Sequence, residues 1–439
     1  MMGSMYTIKD ILRIQVAPAL GCTEPAAVAL CTAAARTLLP GGEPDSIELW
    51  LSPNIYKNAF AVAIPGTGGA KGIGLAGALG FYAGDPTRKL EVLEPVNDAS
   101  LAKAQSLVAA GKVAVNLLEG RSGIYIRSTL KAGSNEAEAV VEGTHDNLVG
   151  LRRDGQPVKD HPLLSNTVAD KSETDRLESF LCSRTLEQLL VLVEDMDDED
   201  LQFIRRGVEC NVKLAEHGLA FHDGLGVGGT LERLTREGLT CRDMVAEARI
   251  LTSAASDARM AGVKLPAMSS AGSGNHGLTA VLPIWAVRAH LHHLTDNNVL
   301  KAIGLSHVVT AYIKAHTGRL SAVCGCSVAA GAGAAAGVAY LMGGNLAHIA
   351  GAIKNLLSDL AGVICDGTKA SCSLKLATAA GTAVQAALFS LHGLSVGERD
   401  GVVALTPEQT TRNMGQISTK GMIETDRTIL QIMIEKQFR

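Results

Sequence analysis

The spacing of apolar side chains changes twice along the chain. Ile8, Ile11, Leu12 and Ile14 recur at helical intervals, and a helical reading covers residues 6–39 with an interruption at Pro18. Thr23-Glu24-Pro25 restarts the helix, with Thr23 near the cap and Pro25 in the first turn. Cys22 thus stands at a helix N-terminus, where free amides and the helix dipole favour a thiolate. Past Gly41-Gly42 the period becomes two, and strands are expected over 47–51, 59–64, 90–96, 113–118, 124–130 and 137–142. Between them, 66–80 and 99–110 are helical or loop-like. Polar residues gather from 152 to 172, the best place for a linker. The helical period then returns over 174–195, 198–216, 231–261, 278–294, 298–317, 346–360, 374–390 and 406–437. The expected fold class is α+β. N-terminal helices over 1–40 pack with the helical domain, a small α/β domain covers 41–160, and a large all-helical domain over 170–439 carries a cysteine cluster.

Composition narrows the classes. The chain has 439 residues, 47% of them apolar and 19% charged, a globular composition with enough length for two cores. Net charge is −4, Lys and Arg are scattered singly, and aromatics are 3%, so no nucleic-acid groove is indicated. Residues 320–346 carry no charge and are long enough to cross a bilayer. They are mostly Ala and Gly without an aromatic belt, which reads as a buried bundle helix, and no membrane is expected. The first residues lack the basic, apolar and small-residue succession of a secretory signal, so a cytoplasmic location with reduced thiols is expected. Nine cysteines, an odd number, also fit a disulfide framework poorly.

Two glycine-rich loops imitate phosphate binders without their context. Gly66-Thr-Gly-Gly-Ala-Lys-Gly72 lacks the P-loop spacing, and Gly224-Leu-Gly-Val-Gly-Gly229 follows a helical pattern where a dinucleotide fingerprint needs a strand. Met268-Ser-Ser-Ala-Gly-Ser-Gly-Asn-His-Gly277 is more informative, since it runs into an apolar helix. Ser269, Ser270, Asn275 and His276 would present hydroxyls, an amide and an imidazole beside helix-start amides, a receptor for a carboxylate.

The cysteines divide into two sets. Cys31, Cys182, Cys210 and Cys241 lie in apolar helical patterns and read as small buried hydrophobes. Cys365 and Cys372 bracket a turn-rich Asp-Gly-Thr-Lys-Ala-Ser, and Cys324 or Cys326 supplies a third thiolate at the start of the Ala/Gly helix. Three such ligands suit a zinc site completed by His or an iron–sulfur cluster with one open iron, and neither spacing is the tight pair of structural zinc sites.

Several blocks together resemble a known family. Gly21-Cys-Thr-Glu-Pro25, Ser52-Pro-Asn-Ile-Tyr-Lys-Asn58, Ile64-Pro-Gly-Thr-Gly-Gly69, Ser269-Ser-Ala-Gly-Ser-Gly-Asn-His276, Gly325-Cys-Ser-Val-Ala-Ala-Gly331 and Cys365-Asp-Gly-Thr-Lys-Ala-Ser-Cys372 resemble the L-cysteine desulfidases, relatives of the α chain of iron–sulfur L-serine dehydratases. The likeness extends to Asn413-Met-Gly-Gln416 and Gly421-Met-Ile-Glu-Thr-Asp426. It implies a cytoplasmic lyase that converts L-cysteine to pyruvate, sulfide and ammonia with a [4Fe–4S] cluster and no pyridoxal phosphate. It implies Cys365, Cys372 and Cys326 as cluster ligands, with Cys324 the competitor of Cys326, and Cys22 as the base for the α-proton. Substrate binding is expected from Ser269, Ser270, Asn275 and His276, joined by Asn54, Lys57 and Asn58 from the α/β domain, with further amides from 66–69. The dehydratases space their last two ligands more widely and place Pro after the Asp, which Cys365-Asp-Gly does not, so the likeness leans toward the desulfidases. L-Serine dehydration is the nearest alternative. A non-catalytic iron–sulfur or thiol redox sensor is the alternative of another class. The expected partner is a small amino acid, and assembly into a homo-oligomer is left open.

Overall fold

Alternating burial builds the sheet, whose strands β2 (Ser46–Leu51), β4 (Tyr125–Ala132) and β5 (Asn135–Glu142) bury every second residue. The structure, a computed structural model, describes residues 6–436 apart from 122, 165–172, 293 and 319. After the short β1 (Pro18–Leu20), the remaining strands are β3 (Val113–Leu117), β6 (Leu148–Arg153), β7 (Gln156–Pro157) and β8 (Pro266–Met268). The larger sheet has the order β3-β2-β4-β5-β6-β7. β2 and β3 are parallel, and the other pairs are antiparallel. A parallel neighbour demands a crossover, here the helical stretch from residue 53 to 109.

That crossover contains α3 (Pro53–Ala59), α4 (Ile73–Tyr82) and α5 (Asp98–Ala109), and it follows α1 (Ile8–Gln15) and α2 (Thr23–Arg36). Two expected strands are absent from it. Residues 59–64 leave α3 and turn, with a single bridge from Ala63 to Lys71, and Pro86–Glu91 is a short 3₁₀ turn. Val92, Leu93 and Val96 are nevertheless buried, because a short apolar run packs as well in a covered turn as in a strand. The N-terminal helices also part company. α1 packs into the helical core, whereas α2, buried on all sides, packs its alanines onto the sheet and α4. The contact is backbone-close: a Cβ on Gly80 would meet the Ala29 carbonyl oxygen at 2.3 Å. Alanine-rich helices pack where their thinness is used, and the expectation that both helices join the helical domain is corrected for α2.

The helical remainder comprises α6 (Glu173–Cys182), α7 (Leu186–Glu194), α8 (Asp198–Phe221), α9 (Val227–Arg236), α10 (Met244–Met260), α11 (Gly274–Val287), α12 (Asp296–Thr317), α13 (Gly331–Leu341), α14 (Leu346–Leu360), α15 (Cys372–Leu391), α16 (Pro407–Gln416) and α17 (Ile423–Glu435). Three expected helices are each split. Thr185 opens α7 with a capping box to Gln188, Asp243 caps α10, and a π-turn separates α16 from α17. Residues 165–172 of the expected linker lie outside the described residues, and its start is strand. The Ala/Gly segment forms α13, which lies against α12 so closely that a Cβ on Gly337 would meet the Ala302 carbonyl oxygen at 2.7 Å. By length and composition α15 alone, among the described residues, could cross a membrane, and over half of it is buried in the protein. Antiparallel pairing of β1 with β8 ties the chain start to the helical half.

Candidate active site

The two cysteine turns meet through backbone. Cys324 N donates to Val363 O at 2.9 Å, Cys365 N donates to Ala322 O at 2.6 Å, and Val323 bridges Ile364. The loop after α12 is thereby laid antiparallel to the loop before α15, which places Cys324 and Cys365 side by side. A π-turn, Cys326–Ala330, then opens the way into α13, and such turns recur at functional sites. Each intervening glycine is forced. A Cβ on Gly325 would lie 2.4 Å from His276 Nε2, and Gly367, at φ +89°, would drive one to 2.5 Å from the Lys57 carbonyl oxygen.

Cys324, Cys326, Cys365 and Cys372 all line one cavity of about 80 Å³, and Cys22 faces it from the start of α2. Cys22 packs with Val62 and Met260, and Cys372 packs against that cluster. Burial raises the Cys22 thiol to about 12, and the Arg259 guanidinium, 3.7 Å from Sγ, opposes that rise. The thiolate expected from the helix start is thus outweighed by desolvation. Burial likewise raises Cys365, and it raises Cys372 to about 12. The Cys326 thiol bonds to Cys324, so Cys324 ionises more easily and Cys326 holds its proton more tightly. Of the remaining cysteines, Cys31 is buried as expected, Cys182 and Cys210 are half-buried, and Cys241 is exposed in the turn between α9 and α10.

The serine-rich loop splits in two. Ser273, Asn275 and His276, with Ala271 and Gly272, line the cavity at the start of α11, whereas Ser269 and Ser270 do not. Ser269 is held by β1, with its amide on the Ala17 carbonyl and its hydroxyl accepting from Ala17 N at 3.3 Å. Ser270 Oγ pairs with His307 Nδ1 at 2.9 Å. Ala271 has φ +45°, a conformation that alanine rarely adopts and that sites tend to hold. Burial lowers His276 to about 3, so its imidazole is neutral and offers one N–H and one lone pair.

Asn54 and Lys57 do not line the cavity. Lys57, 2% exposed, donates to Cys365 O at 3.1 Å and pairs with Asp426, which also accepts from Asn54 Nδ2 at 2.7 Å. They fasten α3 to the cysteine loop and to α17. The amide of Gly66 donates to Gly262 O, and that turn is also off the wall. Asn58 is on the wall and bonds Glu24. Sequence reasoning passed over Arg259, Lys314, Glu24 and Asp426. Arg259 was legible as a cation at the end of an alanine-rich helix: it is buried, bonds Asn275 Oδ1 at 2.9 Å and caps the Gly21 carbonyl.

The donor set suits an iron–sulfur cluster. The wall carries five thiols, those of Cys22 and Cys324 on buried residues and those of Cys326, Cys365 and Cys372 on partly buried ones, and such clusters take thiolates as ligands. Among the described residues no three His, Cys, Asp or Glu side chains converge as tightly as one ion requires.

Residues 87–431 match the family described as serine dehydratase alpha chain. Cys22 lies outside that span, the other cysteines of the wall within it. The chain is 58% identical over 435 residues to a UPF0597 protein of Desulfatibacillum aliphaticivorans, covering 99% of each chain. It is 42% identical over 425 residues to one of Clostridioides difficile, covering 97% of this chain and 98% of that one, and 39% identical over 436 residues to one of Geobacter sulfurreducens, covering 99% of each.

Proposed function

The chain belongs to the serine dehydratase alpha chain family, whose members are iron–sulfur-dependent lyases, and from that premise we propose that it is an L-cysteine desulfidase. The reaction is a β-elimination that yields pyruvate, sulfide and ammonia without pyridoxal phosphate. The observation that carries the reading is the convergence of Cys326, Cys365, Cys372 and their neighbour Cys324 on a cavity that Cys22 also faces. Cys326, Cys365 and Cys372 would hold a [4Fe–4S] cluster, which when bound supplies a Lewis acid with affinity for the departing sulfur.

The chain's own residues do the rest. The start of α11 receives the substrate carboxylate through its free amides, with Asn275, His276 and Lys314 beside them. Cys22 removes the α-proton at Sγ, and the Arg259 guanidinium stabilises the thiolate that this requires. Aminoacrylate leaves, tautomerises to the imine and takes up water to give pyruvate and ammonia. The setting proposed is the cytoplasm, where nine cysteines, all unpaired, stay reduced.

Anaerobic protein is expected to be brown and to release sulfide from L-cysteine, losing both properties in air; a colourless, fully active preparation sinks the reading. Cys22→Ser keeps the colour and loses sulfide release. L-Serine deamination is the second reading, favoured by the matching family's own name. Anaerobic comparison of pyruvate formation from the two amino acids separates them.

A further inference from the structure

The cavity wall carries a carboxylate that the reaction above does not use. Glu24, in the first turn of α2, is 6% exposed and lines the cavity two residues from Cys22. Its Oε1 accepts from Asn58 Nδ2 at 3.0 Å, and its Oε2 accepts from Thr23 Oγ1 at 3.2 Å. Its charged neighbour is His145, whose Nε2 stands 3.8 Å from Oε1, within ion-pair range but beyond hydrogen-bond length. A carboxylate has about four lone-pair positions, so acceptor capacity is left.

Asn58 adds a second acceptor. The carboxylate can only accept, so it must face the amide's NH₂, and this fixes the orientation of the side chain. Asn58 Oδ1 is then a buried acceptor without a partner, on a residue 5% exposed that lines the same cavity. Buried acceptors left open are uncommon and call for a donor. A carboxylate and an open carbonyl oxygen together suit a group that only donates and carries positive charge. Lys314 and the start of α11 supply the complementary anion receptor on the same cavity. One cavity thus holds receptors for both charged groups of a free α-amino acid.

We propose that Glu24 and Asn58 receive the α-ammonium group of the substrate and make the site selective for zwitterionic α-amino acids over acids that lack the amino group. The assignment rests on the lyase reading for the identity of the cavity as the substrate site. A charge-assisted bond lost from a buried site lowers affinity on the order of ten- to a hundredfold.

The test uses anaerobically prepared holoenzyme, with L-cysteine as substrate and 3-mercaptopropionate, the same molecule without its amino group, as competitor. Glu24→Gln is expected to raise KM for L-cysteine at least about tenfold while the inhibition constant of 3-mercaptopropionate stays within about twofold. Asn58→Leu is expected to show the same split, so the result does not hang on the folding of one variant. Equal losses for both ligands in both variants overturn the assignment, as does a fall in kcat at constant KM, which would make Glu24 a proton carrier. Should wild-type protein form no pyruvate, the desulfidase reading fails by itself. Equilibrium binding of labelled L-cysteine against 3-mercaptopropionate then decides the ammonium receptor: a Glu24-dependent preference for L-cysteine supports it, and no preference refutes it.

Discussion

The two sides of the cavity are held by different kinds of bond. The thiol side is stitched by main chain, Cys324 N to Val363 O and Cys365 N to Ala322 O, so the fold there does not depend on its thiols. The polar side is held by the side chains themselves: Lys57 and Asn54 on Asp426, Asn58 on Glu24, Arg259 on Asn275 and Gly21. A substitution on the first side should therefore remove chemistry and spare the fold, whereas on the second it should disturb both.

The largest effect expected is total. Cys365→Ala and Cys372→Ala should each abolish sulfide release and bound iron while shifting the urea midpoint of iron-free protein little; a collapse of the iron-free fold would erase the contrast. Next comes Asp426→Ala, which strands the buried Lys57 ammonium. Breaking a buried pair costs roughly 3–5 kcal/mol, and the partial exposure of Asp426 puts the expectation at the low end, read as a lowered urea midpoint.

A third effect depends on pH. Burial lowers His307 to about 4, against an ordinary value of 6.5, so the folded state prefers the neutral ring. Its contribution is fully present above about 6.5 and is lost as pH falls from there through about 4. The span corresponds to roughly 3 kcal/mol. Urea midpoints measured from neutral to acid should fall more steeply in wild type than in His307→Gln, and parallel curves would remove His307 from the account. The smallest effect is expected outside the cavity: Cys241→Ser, at an exposed turn, should leave iron content, activity and stability unchanged.

Legibility followed the range of the interactions. Capping boxes, such as that at Thr185, are written within four residues, yet the sequence reading ran one helix across 174–195 because apolar spacing continues on both sides of the cap. The runs at 59–64 and 90–96 misled for a related reason, since burial in a turn and burial in a strand select the same side chains. At the site, the blocks containing Cys22, Asn58, Asn275, His276 and the four clustered cysteines were visible, and all of these residues line one cavity. Ser269, Ser270, Asn54 and Lys57 belong to the same blocks but bond elsewhere, because a block contains both the residues that face a ligand and those that hold them.

By itself the sequence determined the α+β class, most helices, the exceptional cysteine turns and the family likeness, since period, turn residues and short motifs are local properties. Tertiary structure alone decided that α2 joins the sheet, that Lys57 serves Asp426, that Arg259 reaches Cys22 and that Glu24 lines the same cavity as Lys314 and the start of α11. Those contacts join residues as many as 369 positions apart, and charge pairing and desolvation depend on distance in space, which no local pattern encodes.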